Sequence, residues 1–509
     1  MVKKLNLFNF FIFFTFFIIL LNIFNYQSNL ISSNYFVEPA ENESLVFINS
    51  DSFKFRSSNI DEYIREGLLP IYPDFYYRVA ELFKGNDLYK LRLTNILAFW
   101  FLTFLTFLIS FRKTEDFGIS LLLALSIYGT TQHSLYFYMG RPDGLFVVFG
   151  FLSTLLLISF TNKKEETLNT SNVIIILVSA LLTSASILIK QSALIFLVTN
   201  ILYLSYKYFH DRNFVNLNNF FSYSVFSFSF TAIYFYFNPV AFEFFLNGLN
   251  LYGSKFSLSH VFLQTKDLFY FYWWQILLVF LIFLKLFNDK DHKSLIFWSL
   301  LWTLIMGFTV KMFSNSAAHY NNYIFVNVFF VAMIIIFFKK IKRNELFKVI
   351  TLLGVIGFHF NFSIIEQIPF IKISNTHAEY TKKINMNIDF NSSEIFKYLK
   401  DNPGEYLTGR NDNFLYFSEN KISYEASVLD NFFLETNETR SRKFKNSMNE
   451  KFNEVLKKIN EKQYDGIILG IGNKTLKNFP DINSYYKLRF SQEVSAGDWP
   501  HTIFLYTPK

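Results

Sequence analysis

Two short motifs each place a lone cation in a turn between long apolar runs: Gly140-Arg141-Pro142-Asp143-Gly144 and Ile189-Lys190-Gln191-Ser192. Guanidinium grips a phosphate bidentately and ammonium holds it as a point charge, so both turns suit an anionic headgroup. Ordinary readings stand beside this one. A lone Lys snorkels to lipid headgroups, and an Asp at the start of a helix complements its dipole, which accounts for Asp143. Asp51, in Asn49-Ser50-Asp51-Ser52, has the chemistry of a general base toward an acceptor hydroxyl, with Asp61 and Glu62 as alternates. A turn or helix-cap role fits the same carboxylates. Ala318-His319-Tyr320-Asn321-Asn322-Tyr323 adds His319, Asn322 and Tyr323 as site candidates, against the ordinary aromatic belt of a membrane interface. Gln191, beside Lys190, completes the set. One His makes no metal site, and the tail holds no Cys/His metal spacing and no glycine-rich phosphate loop; neither metal nor cofactor is expected.

These residues must be positioned by apolar helices. The 509-residue chain is 51% hydrophobic and 17% charged, with 69 Phe and 30 Tyr, against roughly 25% charged in soluble domains. Disordered, collagen-like and disulfide-scaffold classes are excluded by the apolar content, 18 Gly and 0 Cys. The net charge of +8 would suggest nucleic acid only if the basic residues formed a patch, and most lie in loops between apolar runs. Runs long enough to span hydrocarbon fall at approximately 5–25, 94–110, 117–132, 144–160, 172–189, 191–206, 218–237, 268–284, 294–310, 320–338 and 349–365, each free of Asp, Glu, Lys and Arg. The first follows Lys3 and Lys4 and lacks a small-residue cleavage site, so it reads as a retained helix.

Lys and Arg set the orientation. With the amino terminus cytoplasmic, the inner segments carry pairs such as Arg112-Lys113 and Lys163-Lys164 and the cluster at 339–348, while the short outer connections carry one each: Arg141, Lys190 and Lys311. The expected fold is therefore an α-helical polytopic membrane protein of about 11 spans, a transmembrane domain at 1–365 and an extracytoplasmic α/β domain at 366–509. In the first outer segment, 26–93, a capped helix start is expected at Ser58-Asn59-Ile60-Asp61-Glu62. Phe75, Val79, Leu82 and Phe83 make an apolar helix face suited to the bilayer surface. A second ordered outer loop is expected at 238–267, with a Gly-bearing stretch at Asn247-Gly248. In the tail, the patterns predict a helix over 443–462 and strands over 464–470 and 501–507. The outward orientation gathers the candidate carboxylates and lone cations on one face, out of reach of cytoplasmic nucleotide sugars.

In order and spacing these segments resemble the GT-C class of integral-membrane glycosyltransferases, most of all the protein O-mannosyltransferase and aminoarabinose-transferase group. The resemblance rests on Asp51, on Leu69-Pro70-Ile71-Tyr72-Pro73-Asp74-Phe75-Tyr76-Tyr77, on Arg92 entering the second helix, and on Gly140-Arg141-Pro142-Asp143, Ile189-Lys190-Gln191-Ser192 and Asn322-Tyr323. Ser423-Tyr424-Glu425-Ala426 and Lys462-Gln463-Tyr464-Asp465-Gly466-Ile467-Ile468-Leu469 extend it into the tail. It implies transfer of a sugar from a polyprenyl-phosphate donor to a glycan, lipid or protein acceptor at the outer face of the plasma membrane, with inversion. Asp51 would be the base, and Arg141 and Lys190 would hold the donor phosphate. Where that group has a pair of acids in the first loop, this chain has Asp51-Ser52, with Asp61-Glu62 further along. A flippase or transporter of lipid-linked glycans is the rival expectation, and an inactive anchor presenting the tail is a third. Transport usually places polar or broken helices at mid-membrane, which the clean runs do not show.

Overall fold

The computed structural model describes residues 7–32, 39–57, 59, 62–63, 72–127, 139–160, 170–212, 214–251, 258–313, 324–341, 345–360, 393–408, 418, 442–470, 482–496 and 499–509. Of the expected site residues, Asp61, His319, Asn322 and Tyr323 lie outside these, as do the tail motif at Ser423 and the boundary at 366.

The chain is a helical membrane protein. Its amino-terminal part runs α1 (Leu7–Ser32), α2 (Pro39–Asn49), α3 (Asp51–Lys54), α4 (Phe75–Ala80), α5 (Asp87–Thr114), α6 (Phe117–Ser126), α7 (Asp143–Phe160), α8 (Thr170–Ile187), α9 (Leu194–Asp211), α10 (Phe214–Phe237), α11 (Pro239–Leu251), α12 (Leu258–Asn288), α13 (His292–Phe313), α14 (Ile324–Ile341) and α15 (Glu345–Phe360). Each expected apolar run overlaps one of these helices in its described residues. Among the described residues, six stretches are long and apolar enough to cross a bilayer: Phe10–Ile31, Asp87–Thr114, Thr170–Ile187, Gln191–Asp211, Phe214–Phe237 and His292–Lys311. The remaining runs lie on shorter apolar helices, such as Phe117–Ser126 and Val326–Phe338.

Local signals set the helix ends. Asn86 caps α5 by accepting from the Tyr89 amide at 2.8 Å, and Arg112 and Lys113 occupy the last turn before Glu115 turns left-handed. Asp116 then caps α6, accepting from Ile119 at 3.1 Å, and pairs with Lys348 of α15 at 3.2 Å.

Inside the bundle the helices meet through polar knots and small residues, the means available where lipid is as apolar as the side chains. Asn200 of α9 donates to Ser153 of α7 (3.0 Å) and Tyr223 of α10 (2.9 Å) and accepts from Thr154 (2.9 Å), while Thr183 of α8 lies 2.7 Å from both Ser153 and Tyr223. Asn327 of α14 donates to the carbonyls of Ser126 (2.8 Å) and Ile127 (3.0 Å) at the end of α6, and accepts from Gln275 of α12 at 2.6 Å. Gly150 and Gly354 leave room for the rings of Phe196 and Trp274, each of which would lie 2.2 Å from an added Cβ.

The segment at 26–93 departs from expectation. α1 continues to Ser32, and α2 and α3 form where no helix was expected. The helix expected through Phe83 ends at Ala80, and its packed face is Tyr76, Tyr77 and Ala80, leaving Leu82 80% exposed. The reason is specific bonding: the Tyr76 hydroxyl donates to the Leu91 carbonyl at 3.0 Å, and Tyr77 stacks on Phe47 at 4.3 Å, so this face turns inward. In the 238–267 segment the described residues form α11 and the start of α12, which is kinked at Tyr272. The run at 117–132 is helical only to Ser126 among its described residues.

The tail contains α16 (Glu394–Asp401), β1 (Tyr406–Thr408), α17 (Arg442–Asn460), β2 (Gly466–Gly470), β3 (Tyr486–Ala496) and β4 (Trp499–Pro508). The sheet order is β1-β2-β4-β3, with β1 and β2 parallel and the other pairs antiparallel. Alternating side chains serve two layers. Tyr406, Ile468, Ile503 and Leu505 pack with Ile395 and Leu399 of α16, while Leu407, Ile467 and Leu469 pack with Val455 and Ile459 of α17. The expected helix and both expected strands are present with shifted ends, whereas α16, β1 and β3 were not anticipated.

Candidate functional site

The turn from Met139 to Pro142 is held from both sides. Pro142 leads into α7, whose first residue is Asp143, and the Arg141 amide donates to the Met139 carbonyl at 2.7 Å. Asn95 of α5 donates to the carbonyls of Met139 (2.6 Å) and Arg141 (2.7 Å) and to the Tyr76 hydroxyl (3.2 Å). On the other side Glu41 of α2 accepts from the Gly140 amide at 2.7 Å. An added Cβ at Gly140 would lie 2.9 Å from the Leu91 Cβ, so only glycine lets the turn approach α5 this closely.

Glu41 itself is wholly buried and paired with wholly buried Arg92: Nε to Oε1 at 2.9 Å and Nη2 to Oε2 at 2.7 Å, a forked pair. The remaining arm of Arg92 donates to the Leu30 carbonyl at 2.7 Å, near the end of α1. One ion pair therefore joins α1, α2, α5 and the Arg141 turn. Burial, followed by neighbouring Tyr77 and the carboxylates of Glu41 and Asp143, pushes the Tyr76 phenol well above the usual tyrosine range, so it remains a hydrogen-bond donor.

At this turn the two lone cations meet. Lys190 Nζ lies 2.5 Å from Asp143 Oδ1, and Arg141 Nε lies 3.3 Å from Asp143 Oδ2. All three side chains are buried. The Lys190 ammonium also faces the rings of Tyr72 (5.2 Å) and Phe146 (5.5 Å). Tyr72 belongs to the segment at 26–93, and its ring faces the cation. Gln191 opens the short turn leading into α9 and donates to the Phe244 carbonyl of α11 at 3.2 Å.

The chain matches no known protein family, no curated protein and no solved structure.

Asp51 is the first residue of α3, which Ser50 caps by accepting from the Phe53 amide at 3.2 Å. Its carboxylate is exposed and takes no hydrogen bond among the described residues. Phe53 anchors the helix beneath it, packed on Phe47 at 5.3 Å, and Phe47 in turn meets Phe244, whose carbonyl holds Gln191. Glu62 is exposed, with its amide bonded to the Asn59 carbonyl.

Of the expected residues, the structure thus brings Arg141, Asp143, Lys190 and Gln191 to one end of the bundle. Asp143 is more than the helix-dipole partner that its position explains, because both lone cations converge on it. Glu41 was not anticipated. Its signal in the sequence is faint: a carboxylate in the first turn of a helix opened by Pro39, which any helix start could carry. Asp74 and Asn95 were likewise missed as partners, since nothing local distinguishes them from ordinary turn and helix residues.

Proposed function

We propose that this chain is a membrane glycosyltransferase that moves a sugar from a polyprenyl-phosphate donor to an acceptor at the extracytoplasmic face. The observation that carries the reading is the convergence of Arg141 and Lys190, from separate turns, on Asp143 beneath Tyr72. Cations held this way, in surroundings poor in water, can stabilise the charge that grows on a departing phosphate. Asp143 keeps them in place before the donor arrives. Asp51, exposed at the start of its capped helix, would accept the proton of the acceptor hydroxyl, with Asp61 and Glu62 as alternates. The likeness in order and spacing to GT-C enzymes supports the same assignment. So does the charge pattern of the loops, which favours about eleven crossings, a cytoplasmic amino terminus and an outward tail at 366–509. His319, Asn322 and Tyr323 belong to the proposed site by sequence order.

Purified protein in nanodiscs, given a polyprenyl-phosphate sugar and candidate acceptors, tests this reading. Transfer that is lost in Asp51→Asn, kept in Asp61→Asn and weakened in donor KM by Lys190→Ala supports it. Loss in Asp61→Asn alone moves the base there. Lipid movement without transfer establishes the flippase instead. Single cysteines introduced into this chain, which has 0 Cys, test the topology: a tail labelled only from the cytoplasmic side overturns the orientation.

A further inference from the structure

A second polar cluster lies between α3 and α10, and the function above does not use it. Asp74 is 9% exposed and accepts from the Tyr234 hydroxyl of α10 at 2.7 Å and from Arg78 Nε of α4 at 3.1 Å. Arg78 extends the connection: Nη2 donates to the Phe53 carbonyl at 3.1 Å, and the guanidinium lies 3.8 Å over the Phe53 ring. The Phe53 carbonyl, at the end of a helix only four residues long, thus accepts from Arg78 as well as from the Arg56 amide at 3.2 Å. A helix so short cannot hold its own place by backbone bonds. Its position is fixed by the Ser50 cap, by the buried Phe53 ring and by Arg78.

We infer that Arg78, oriented by Asp74 and Tyr234, is a positioning residue that fixes α3 against the outer part of α10 and so sets where the Asp51 carboxylate stands. The inference rests on Asp51 as the base. A planar fork is needed, because one guanidinium must serve a carboxylate, a carbonyl and a ring face at once.

The test has two arms. In the first, exposed Lys54 and Tyr236 are replaced by cysteines, spin-labelled, and their distance is measured. One narrow distribution is expected, broadened or shifted by Arg78→Gln, by Arg78→Lys and, to a smaller degree, by Tyr234→Phe. In the second arm, Arg78→Gln is expected to lower kcat roughly tenfold, as misplacement by a fraction of an ångström does, with donor KM within about twofold and the melting temperature nearly unchanged. An unchanged distance distribution overturns the proposal. So does an unchanged kcat when Asp51→Asn is inactive, or full rescue by Arg78→Lys. If the unaltered protein transfers no sugar, the functional reading fails, while the distance arm still decides whether Arg78 holds α3.

Discussion

Lys190 and Asp143 lie 47 positions apart in sequence and 2.5 Å apart in space, and Arg141 closes on the same carboxylate at 3.3 Å. One buried acid therefore holds two cations from different turns. Removing it is expected to cost far more than removing one cation.

Asp143→Asn should destabilise the protein by about 3–5 kcal/mol, the usual cost of breaking a buried pair from one side. Adding Lys190→Met should recover part of that loss, because it removes one of the cations the carboxylate served. Denaturant unfolding in mixed micelles would show it. Equal stability of the single variant and the parent would mean that the carboxylate is not the centre of the cluster.

Glu41→Gln should act at a distance on the Arg141 turn. It keeps an acceptor for Gly140 but removes the charge that Arg92 pairs with, at a similar cost of about 3–5 kcal/mol. Gly140→Ala should leave the ion pair intact and push the turn away from Leu91, since its Cβ would lie 2.9 Å from the Leu91 Cβ. Protease accessibility of the 139–142 turn should rise in both variants, with the larger loss of thermal stability in Glu41→Gln.

Within the bundle, Asn200→Ala should loosen four helices at once. The expected loss is about 1–2 kcal/mol, near the top of the range for a polar contact between membrane helices. Gly150→Leu should cost about 1–3 kcal/mol or more by overpacking against Phe196. Both can be read as shifts in a detergent unfolding curve, and the two effects should be less than additive because both lie between α7 and α9.

Tyr486 gives the tail a pH signature. Burial raises its phenol above the ordinary value of 10.0, and its hydroxyl donates to the Tyr464 carbonyl at 3.3 Å. Because the folded value lies above the unfolded one, its contribution is fully present below pH 10 and is lost as pH rises beyond that. Tyr486→Phe should therefore lower the stability of the tail at pH 8 by about 1 kcal/mol. The gap to the parent should narrow by pH 11. Proteolysis of the β3–β4 hairpin across that pH range would follow it, and a gap that widens with pH would refute the assignment.

Much of the architecture was open to a reader of the residues. Clean apolar runs marked the positions of helices, because hydrocarbon leaves a backbone no other way to satisfy its polar groups. Lys190 and Arg141 stood out because lone charges are costly there. The segment at 26–93 was harder to read. The period of Phe75, Val79, Leu82 and Phe83 pointed to one face, but Tyr76 and Tyr77 had the better partners in Leu91 and Phe47. α2 and α3 were missed because short helices owe their stability to packing, which local propensity does not record.

The amino-acid order alone determined that this protein resides in a membrane as a helical bundle carrying a polar tail, since hydropathy is a property of each run by itself. Which acid meets which cation was decided only by the folded chain. Glu41 finds Arg92 across 51 positions and Asp74 finds Tyr234 across 160. Such pairings depend on how helices pack, and side-chain charge reaches only a few ångströms before water or another helix intervenes.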